Sequence, residues 1–203
     1  MAKWHGYGRC KTRLSNDIGK INSSNVQNMM TKHTISVVRS LEEKKVIDIS
    51  LAVTGLGFKK GRKWANELGI QNFNLQGRGC LGEKMKRQII RSKKSYLQKR
   101  IKNMIFLGTD LPDLCHLDIL STIKELKQND LILGPSNDGG YWLIAFSEKL
   151  LSKHLYLPFI NIKWSKENVL RDTIENVSKK NIKYKLLRKK TDIDTISDIE
   201  SLF

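Results

Sequence analysis

Asn103-Met104-Ile105-Phe106-Leu107-Gly108-Thr109-Asp110-Leu111-Pro112-Asp113 is the stretch on which the fold turns. A short apolar run stops at a glycine, and a carboxylate follows. Such a run, closed by turn residues, predicts a buried strand of the kind found in parallel sheets. Ligands of open α/β sheets sit beyond the carboxyl ends of the strands, which is where Asp110 would stand. Pro112 has no N–H to continue a ladder and biases Leu111 towards an extended conformation. The chain therefore turns away and leaves a carboxylate where a metal or phosphate could meet it. A plainer role is equally open to Asp110 or Asp113, that of capping the helix that follows.

Around that stretch the composition sets bounds. A chain of 203 residues has room for one sizeable α/β domain, taken as residues 1–203. Apolar residues make up 39% and charged ones 28%, the balance of a soluble globular protein. No apolar run reaches the roughly 18 residues of a membrane span, and Lys3, His5, Arg9 and Lys11 interrupt any signal-peptide-like start. Cys10, Cys80 and Cys115 are odd in number and form no CxxC pair, so neither a disulfide framework nor a zinc site is indicated. A reducing cytoplasm is the expected compartment. The net charge of +17 suits a polyanionic partner. Its lysines are scattered and no nucleic-acid recognition motif accompanies them, which favours a solvated basic surface that attracts phosphorylated small molecules.

The N-terminus reads Lys3-Trp4-His5-Gly6-Tyr7-Gly8-Arg9-Cys10-Lys11-Thr12-Arg13. Glycines let a loop close around phosphate oxygens, Arg offers a bidentate fork and Lys a point charge. The segment is a candidate diphosphate cradle without the spacing of a Walker loop; its alternative is a basic, disordered tail. Ser23 or Ser24 is expected to cap a helix to about Leu41, with Val26, Met29, Met30, Val37 and Leu41 on its apolar face. Strands are expected at 48–54, weakly at 73–76, at 130–134 and at 184–187, and helices near 60–68, 83–94 and 114–126. Tyr96 to Lys102 reads as a basic connector. Gly77 to Gly82 is a second glycine-rich loop running into a helix start, where anions bind. Asp138-Gly139-Gly140 between two β-rich runs predicts a hairpin turn or a close approach to a ligand. Leu150 and Leu151 should carry the contacts of a short segment. Ser165 should cap a helix to about Lys179, and Thr195 or Ser197 should start a terminal one. The alternation argues for an α/β sandwich with a mostly parallel sheet. Asp110 and Asp194 would then meet at one edge, offering the hard oxygens that Mg²⁺ or Mn²⁺ takes together with a diphosphate.

Six blocks in order carry a resemblance that covers nearly the whole chain. They are Ala2-Lys3 through Lys11-Thr12-Arg13-Leu14; Leu81-Gly82-Glu83-Lys84-Met85; Gly108 to Leu114; Leu133-Gly134-Pro135 with Asp138-Gly139-Gly140-Tyr141; Trp164-Ser165; and Asp192-Ile193-Asp194-Thr195 with Asp198. Together they resemble the GT-A-like glycosyltransferases associated with radical-SAM proteins, those of arsenosugar synthesis among them. They are more distantly similar to molybdenum-cofactor and phospholactate nucleotidyltransferases. The resemblance implies a GT-A, Rossmann-like three-layer fold and a metal-dependent transferase using a nucleotide-activated donor and a small-molecule acceptor. Its members would use Mg or Mn. It implies that Lys3, Gly8, Lys11, Thr12 and Arg13 hold the donor phosphates and that Asp110 and Asp194 take the metal. Asp110 and Asp138 would be catalytic, and Gly82, Asp138, Gly139, Gly140, Tyr141 and Trp164 would bind substrate. Nucleotidyl transfer with release of pyrophosphate is the alternative within this class, and a basic nucleic-acid-binding module the alternative outside it.

The chain departs from this pattern in two places. His5 stands where the family usually has Pro, and the apolar first strand expected before Ala2-Lys3 is missing. Either Met1 is an internal methionine, with about five apolar residues encoded upstream, or the fold has lost that strand.

Overall fold

The computed structural model describes residues 1–95 and 103–201, so the connector expected at Tyr96–Lys102 lies outside the described residues. The described residues form an α/β chain that divides into two compact units. The first comprises residues 1–76, 108–116 and 191–203, the second 77–107 and 117–190.

In the first unit, three short strands pair in parallel: β1 (Ala2–Lys3), β2 (Leu51–Thr54) and β3 (Phe73–Leu75), in that order. Ala2-Lys3 themselves form the first strand, two residues long, where the expectation placed a strand before them. Ala2 lies opposite Val53 and Lys3 opposite Thr54, and the Trp4 N–H extends the ladder to the Thr54 carbonyl at 3.0 Å. Ala2, Val53, Trp64, Ala65, Ile70 and Phe73 are buried together with Ile35. They join the sheet to α1 (Thr12–Glu43) and α2 (Phe58–Glu67). Ser23 and Ser24 do not start a helix; they lie inside α1, whose first turn is the end of the glycine-rich N-terminal segment. Gly19, at φ 80° and ψ 162°, is non-helical and divides α1 into two helical arms that meet at a kink. The buried stripe of α1 also differs from expectation. It runs Ser23, Gln27, Thr31, Thr34, Ile35, Val38 and Leu41, whereas Met29 is 64% exposed. The terminal helix α7 (Ile196–Glu200) belongs to this unit.

The second unit holds four strands in the order β4 (Asn103–Leu107), β6 (Tyr141–Ser147), β5 (Leu131–Pro135) and β7 (Tyr184–Leu186). β6 runs antiparallel to both neighbours and β5 pairs with β7 in parallel, so three of the five strand pairs among the described residues are parallel. Leu131 to Leu133 and Leu143 to Phe146 are essentially inaccessible to solvent, the continuous apolar run that a sheet covered on both faces requires. Around them stand α3 (Leu81–Ser95), α4 (His116–Glu125), α5 (Glu148–Lys153) and α6 (Val169–Ser178). Leu150 and Leu151 are the buried residues of α5, as expected. Ser165 does not cap α6. It is an exposed residue in the left-handed region, at φ 64°, and α6 begins after Asn168. Among the described residues no helix is long and apolar enough to cross a membrane.

Candidate active site

The charged cluster of the first unit is assembled from three remote segments. The N-terminal segment leaves β1 at Lys3 and folds back on itself. The Arg9 N–H donates to the Gly6 carbonyl at 2.9 Å, and the Ser24 hydroxyl donates to the His5 carbonyl. Lys11, the residue before the first turn of α1, has φ 44° and ψ 52°, a left-handed conformation uncommon outside glycine. Its ammonium donates to the Ile193 carbonyl and stands 3.5 Å from Asp110 Oδ1 and 3.6 Å from Asp194 Oδ1. The lysine side chain is 2% exposed, the two carboxylates 38% and 42%.

Backbone bonds fasten the same segments. The Ile193 N–H donates to the Asp110 carbonyl at 3.0 Å, and the Leu14 N–H to the Asp194 carbonyl at 3.1 Å. From the shaft of α1, Gln27 Nε2 donates to Asp110 Oδ1 at 3.0 Å and approaches Thr109 Oγ1 at 3.5 Å, while the His33 ring nitrogen lies 2.9 Å from the Leu114 carbonyl. On the Asp194 side, α7 opens with a capping box. Asp198 accepts from the Asp194 and Thr195 N–H groups at 2.8 and 2.7 Å and from the Thr195 hydroxyl at 2.8 Å. Burial alone would raise the Asp198 carboxyl. These bonds and the nearby Lys11 charge outweigh it and hold the group below its ordinary value. Burial raises the Cys10 thiol, against the pull of Lys3 and Lys11 and with that of Asp110. Burial first, then Lys32, push His5 below its usual value, with Glu67 opposing. Lys3, Gly8, Thr12 and Arg13 are exposed.

Within the second unit, the other sequence-singled residues gather around the β5–β6 hairpin. Asp138 Oδ1 accepts from the Ser136 hydroxyl at 2.5 Å and from the Gly140 N–H at 2.9 Å, so the carboxylate closes its own turn. Gly139 has φ 83°, and a Cβ there would fall 1.9 Å from the Glu167 carbonyl oxygen. Its own carbonyl accepts from the Leu170 N–H at 2.9 Å, supplying at the start of α6 the partner expected from Ser165. Tyr141 meets Trp164 edge to face, with centroids 6.5 Å apart. Trp164 in turn lies over Gly82 at the start of α3, where a Cβ would stand 2.4 Å from the indole. Burial drives the Tyr141 phenol far above its ordinary range; the Thr173 hydroxyl acts in the opposite sense.

Residues 37–166 match the model of a family described as an uncharacterized protein conserved in bacteria, DUF2064. The chain belongs to this family. The match takes in Asp110 and Asp138 and stops short of Lys11 and Asp194. Among solved structures, this DUF2064 chain is similar over its full length to 83% of a protein from Desulfovibrio desulfuricans G20, assigned provisionally as a nucleotide-diphospho-sugar transferase, at 24% identity and a TM-score of 0.83. At 14% identity, 85% of the chain is similar to 86% of a 4-diphosphocytidyl-2C-methyl-D-erythritol synthase from Anaerococcus prevotii DSM 20548, with a TM-score of 0.54. It is similar to 73% of a cytidylyltransferase from Leptospira borgpetersenii serovar Hardjo-bovis (strain JB197) with a TM-score of 0.55, again over 85% of the chain at 14% identity. These likenesses show a GT-A-like fold. No curated protein matches the sequence.

In the DUF2064 chain, then, Lys11, Asp110 and Asp194 converge. Gly82, Gly139, Tyr141 and Trp164 form a second cluster around the turn that Asp138 closes. Gln27 was not singled out from the sequence. The signal was there: Ser23, Gln27 and Thr31 recur every four residues in line with Ile35, a polar stretch on a helix face that is otherwise apolar. Among the described residues no group of three or more His, Cys, Asp or Glu is placed to hold a metal. The donor set is a pair of carboxylates already gathered on one cation. That suits Mg²⁺ or Mn²⁺, which take one or two protein carboxylates and complete their shell with substrate phosphates and water.

Proposed function

We propose that this protein is a metal-dependent transferase of a nucleotide-activated donor, a glycosyltransferase acting on a small-molecule acceptor. The observation that carries the reading is the meeting of Asp110 and Asp194 on the Lys11 nitrogen, beside the exposed Thr12 and Arg13 of the first turn of α1. The GT-A-like fold supports it, since relatives of that fold are described as handling nucleotide-linked sugars or cytidylyl groups.

In this reading Asp110 and Asp194 hold Mg²⁺ or Mn²⁺, which when bound neutralises the diphosphate as it becomes the leaving group. Lys3, Gly8, Thr12 and Arg13 bind the donor phosphates, with the Arg13 fork giving the directional contact and the helix N-terminus adding its dipole. Gln27 fixes the orientation of Asp110 through its amide. Gly82, Asp138 to Tyr141 and Trp164 serve the acceptor, and Asp138 is the candidate base for its nucleophilic hydroxyl.

Thermal melting with sugar nucleotides, nucleoside triphosphates and an oligonucleotide, each with and without Mn²⁺, tests this reading. Sugar nucleotides should stabilise the protein in the presence of Mn²⁺. Stabilisation by a triphosphate, with pyrophosphate released on turnover, would turn the assignment to nucleotidyl transfer, the activity suggested by the cytidylyltransferase likeness. A response to the oligonucleotide alone, indifferent to Mn²⁺, would sink both.

A further inference from the structure

A lysine that waits for phosphate would present its ammonium to solvent. Lys11 does the opposite, with a side chain 2% exposed behind carboxylates that are 38% and 42% exposed. An ammonium has three N–H donors and no more. Around Lys11 Nζ stand three acceptors: the Ile193 carbonyl, Asp110 Oδ1 and Asp194 Oδ1. One donor is given to the Ile193 carbonyl and the charge faces both carboxylates at ion-pair distance, so the ammonium is turned inward, away from an incoming phosphate, while this arrangement holds. The side chain starts from a left-handed backbone at the first turn of α1, and the segments it joins are stitched by the Ile193–Asp110 and Leu14–Asp194 backbone bonds. The ammonium thus occupies a pocket of oxygens made for a cation.

We propose that Lys11 is the resident counter-cation of the Asp110–Asp194 pair, gathering the two carboxylates when no metal is bound and leaving them when a divalent ion takes its place. This rests on the reading of Asp110 and Asp194 as metal ligands. Two like charges contend for the same pair of oxygens. The ammonium lies behind the two carboxylates, which stay 38% and 42% exposed, so a divalent ion can still reach them from solvent. Once the ion is seated, the ammonium beside it is repelled, and the next anion within reach of a freed lysine is the donor's diphosphate. Metal alone should bind poorly, because it must evict Lys11 without that compensation.

The test measures Mn²⁺ binding without nucleotide, from the electron paramagnetic resonance signal of the free ion. It compares wild type, Lys11→Met, Asp110→Asn and the double variant. Lys11→Met should bind Mn²⁺ at least tenfold more tightly than wild type, and adding Asp110→Asn should abolish the gain. If Lys11→Met binds no more tightly while Asp110→Asn weakens wild type, the counter-cation role is overturned and the metal-ligand reading stands. If Asp110→Asn leaves Mn²⁺ binding unchanged, the metal-ligand reading falls and the proposal with it. A second measurement needs no variant. Acetylation of Lys11 in wild type, followed by mass spectrometry, should be slow without metal and several-fold faster under saturating Mn²⁺. An unchanged rate would refute eviction.

Discussion

The two clusters are built in opposite ways. Around Asp138, the groups that bond the carboxylate lie within two residues: Ser136 and Gly140 donate to it, and the strands on either side pair directly, with Gly139 tied to the remote segment 167–170. The cluster around Lys11 draws on positions as far apart as 27, 110 and 194, joined by charge and by two backbone bonds. The hairpin is a closed local structure whose polar groups satisfy one another. The remote cluster concentrates two exposed carboxylates on one buried ammonium, an arrangement with charge left to offer a ligand. A local motif therefore reads primarily as architecture, and a non-local one as chemistry.

Substitutions should separate the two. Asp110→Asn keeps the volume and one oxygen but loses the anionic charge, and turnover should fall by about 1000-fold with little change in melting temperature. Steady-state kinetics under Mn²⁺ would show it, and near wild-type activity would reduce Asp110 to a structural role. Gly139→Ala should act on folding instead. It combines a left-handed φ with a Cβ driven into the Glu167 carbonyl, and should cost about 3 kcal/mol in denaturant unfolding. A loss of activity with unchanged stability would move Gly139 from architecture to chemistry. The smallest effect belongs to Thr195→Ala, which removes a helix cap and should cost about 1 kcal/mol at neutral pH. The pH dependence follows from Asp198. Its carboxyl lies below its ordinary value in the folded protein, so the stability it contributes is complete above the ordinary aspartate range. That contribution fades as pH falls through the lowered value. The gap between wild type and Thr195→Ala should narrow on acidification, because the bonds that Thr195 gives Asp198 need the carboxylate. Equal gaps at pH 7 and pH 3 would contradict the coupling.

What could be read from the sequence follows the same division. The strand ending before Asp110 was legible as a strand because an apolar run is punctuated by Gly108 and Pro112, but its setting was not: β4 is part-exposed at the end of its sheet and antiparallel to β6, where the apolar run predicts a buried strand of a parallel sheet. The Asp138 turn was legible because it is local, and Thr195 because its capping partner is three residues away. The start of α1 was not. Gly19 and the serines beyond it look like a helix beginning, and a helix does resume after Gly19, but an earlier arm already starts at Thr12. Ser165 has a capping residue's chemistry, but the Gly139 carbonyl, from another element, already serves that helix end. Met29 reads as core by its side chain and is exposed, because the face that packs is the one carrying Gln27 and Thr31. In each failure a tertiary partner, invisible to local pattern, decided the outcome.

The kink at Gly19 makes α1 two levers on a single pin. The short arm carries Thr12 and Arg13 and is largely bathed in solvent; the long arm is anchored by Ile35, Val38 and Leu41. The pin itself is unencumbered, with nothing within 4 Å of where a Cβ would point. A rotation there would swing the arginine-bearing arm only by drawing the fully buried Leu14 from its seat and parting its N–H from the Asp194 carbonyl, so the charged end is held by the cluster it serves while the pin itself offers no resistance.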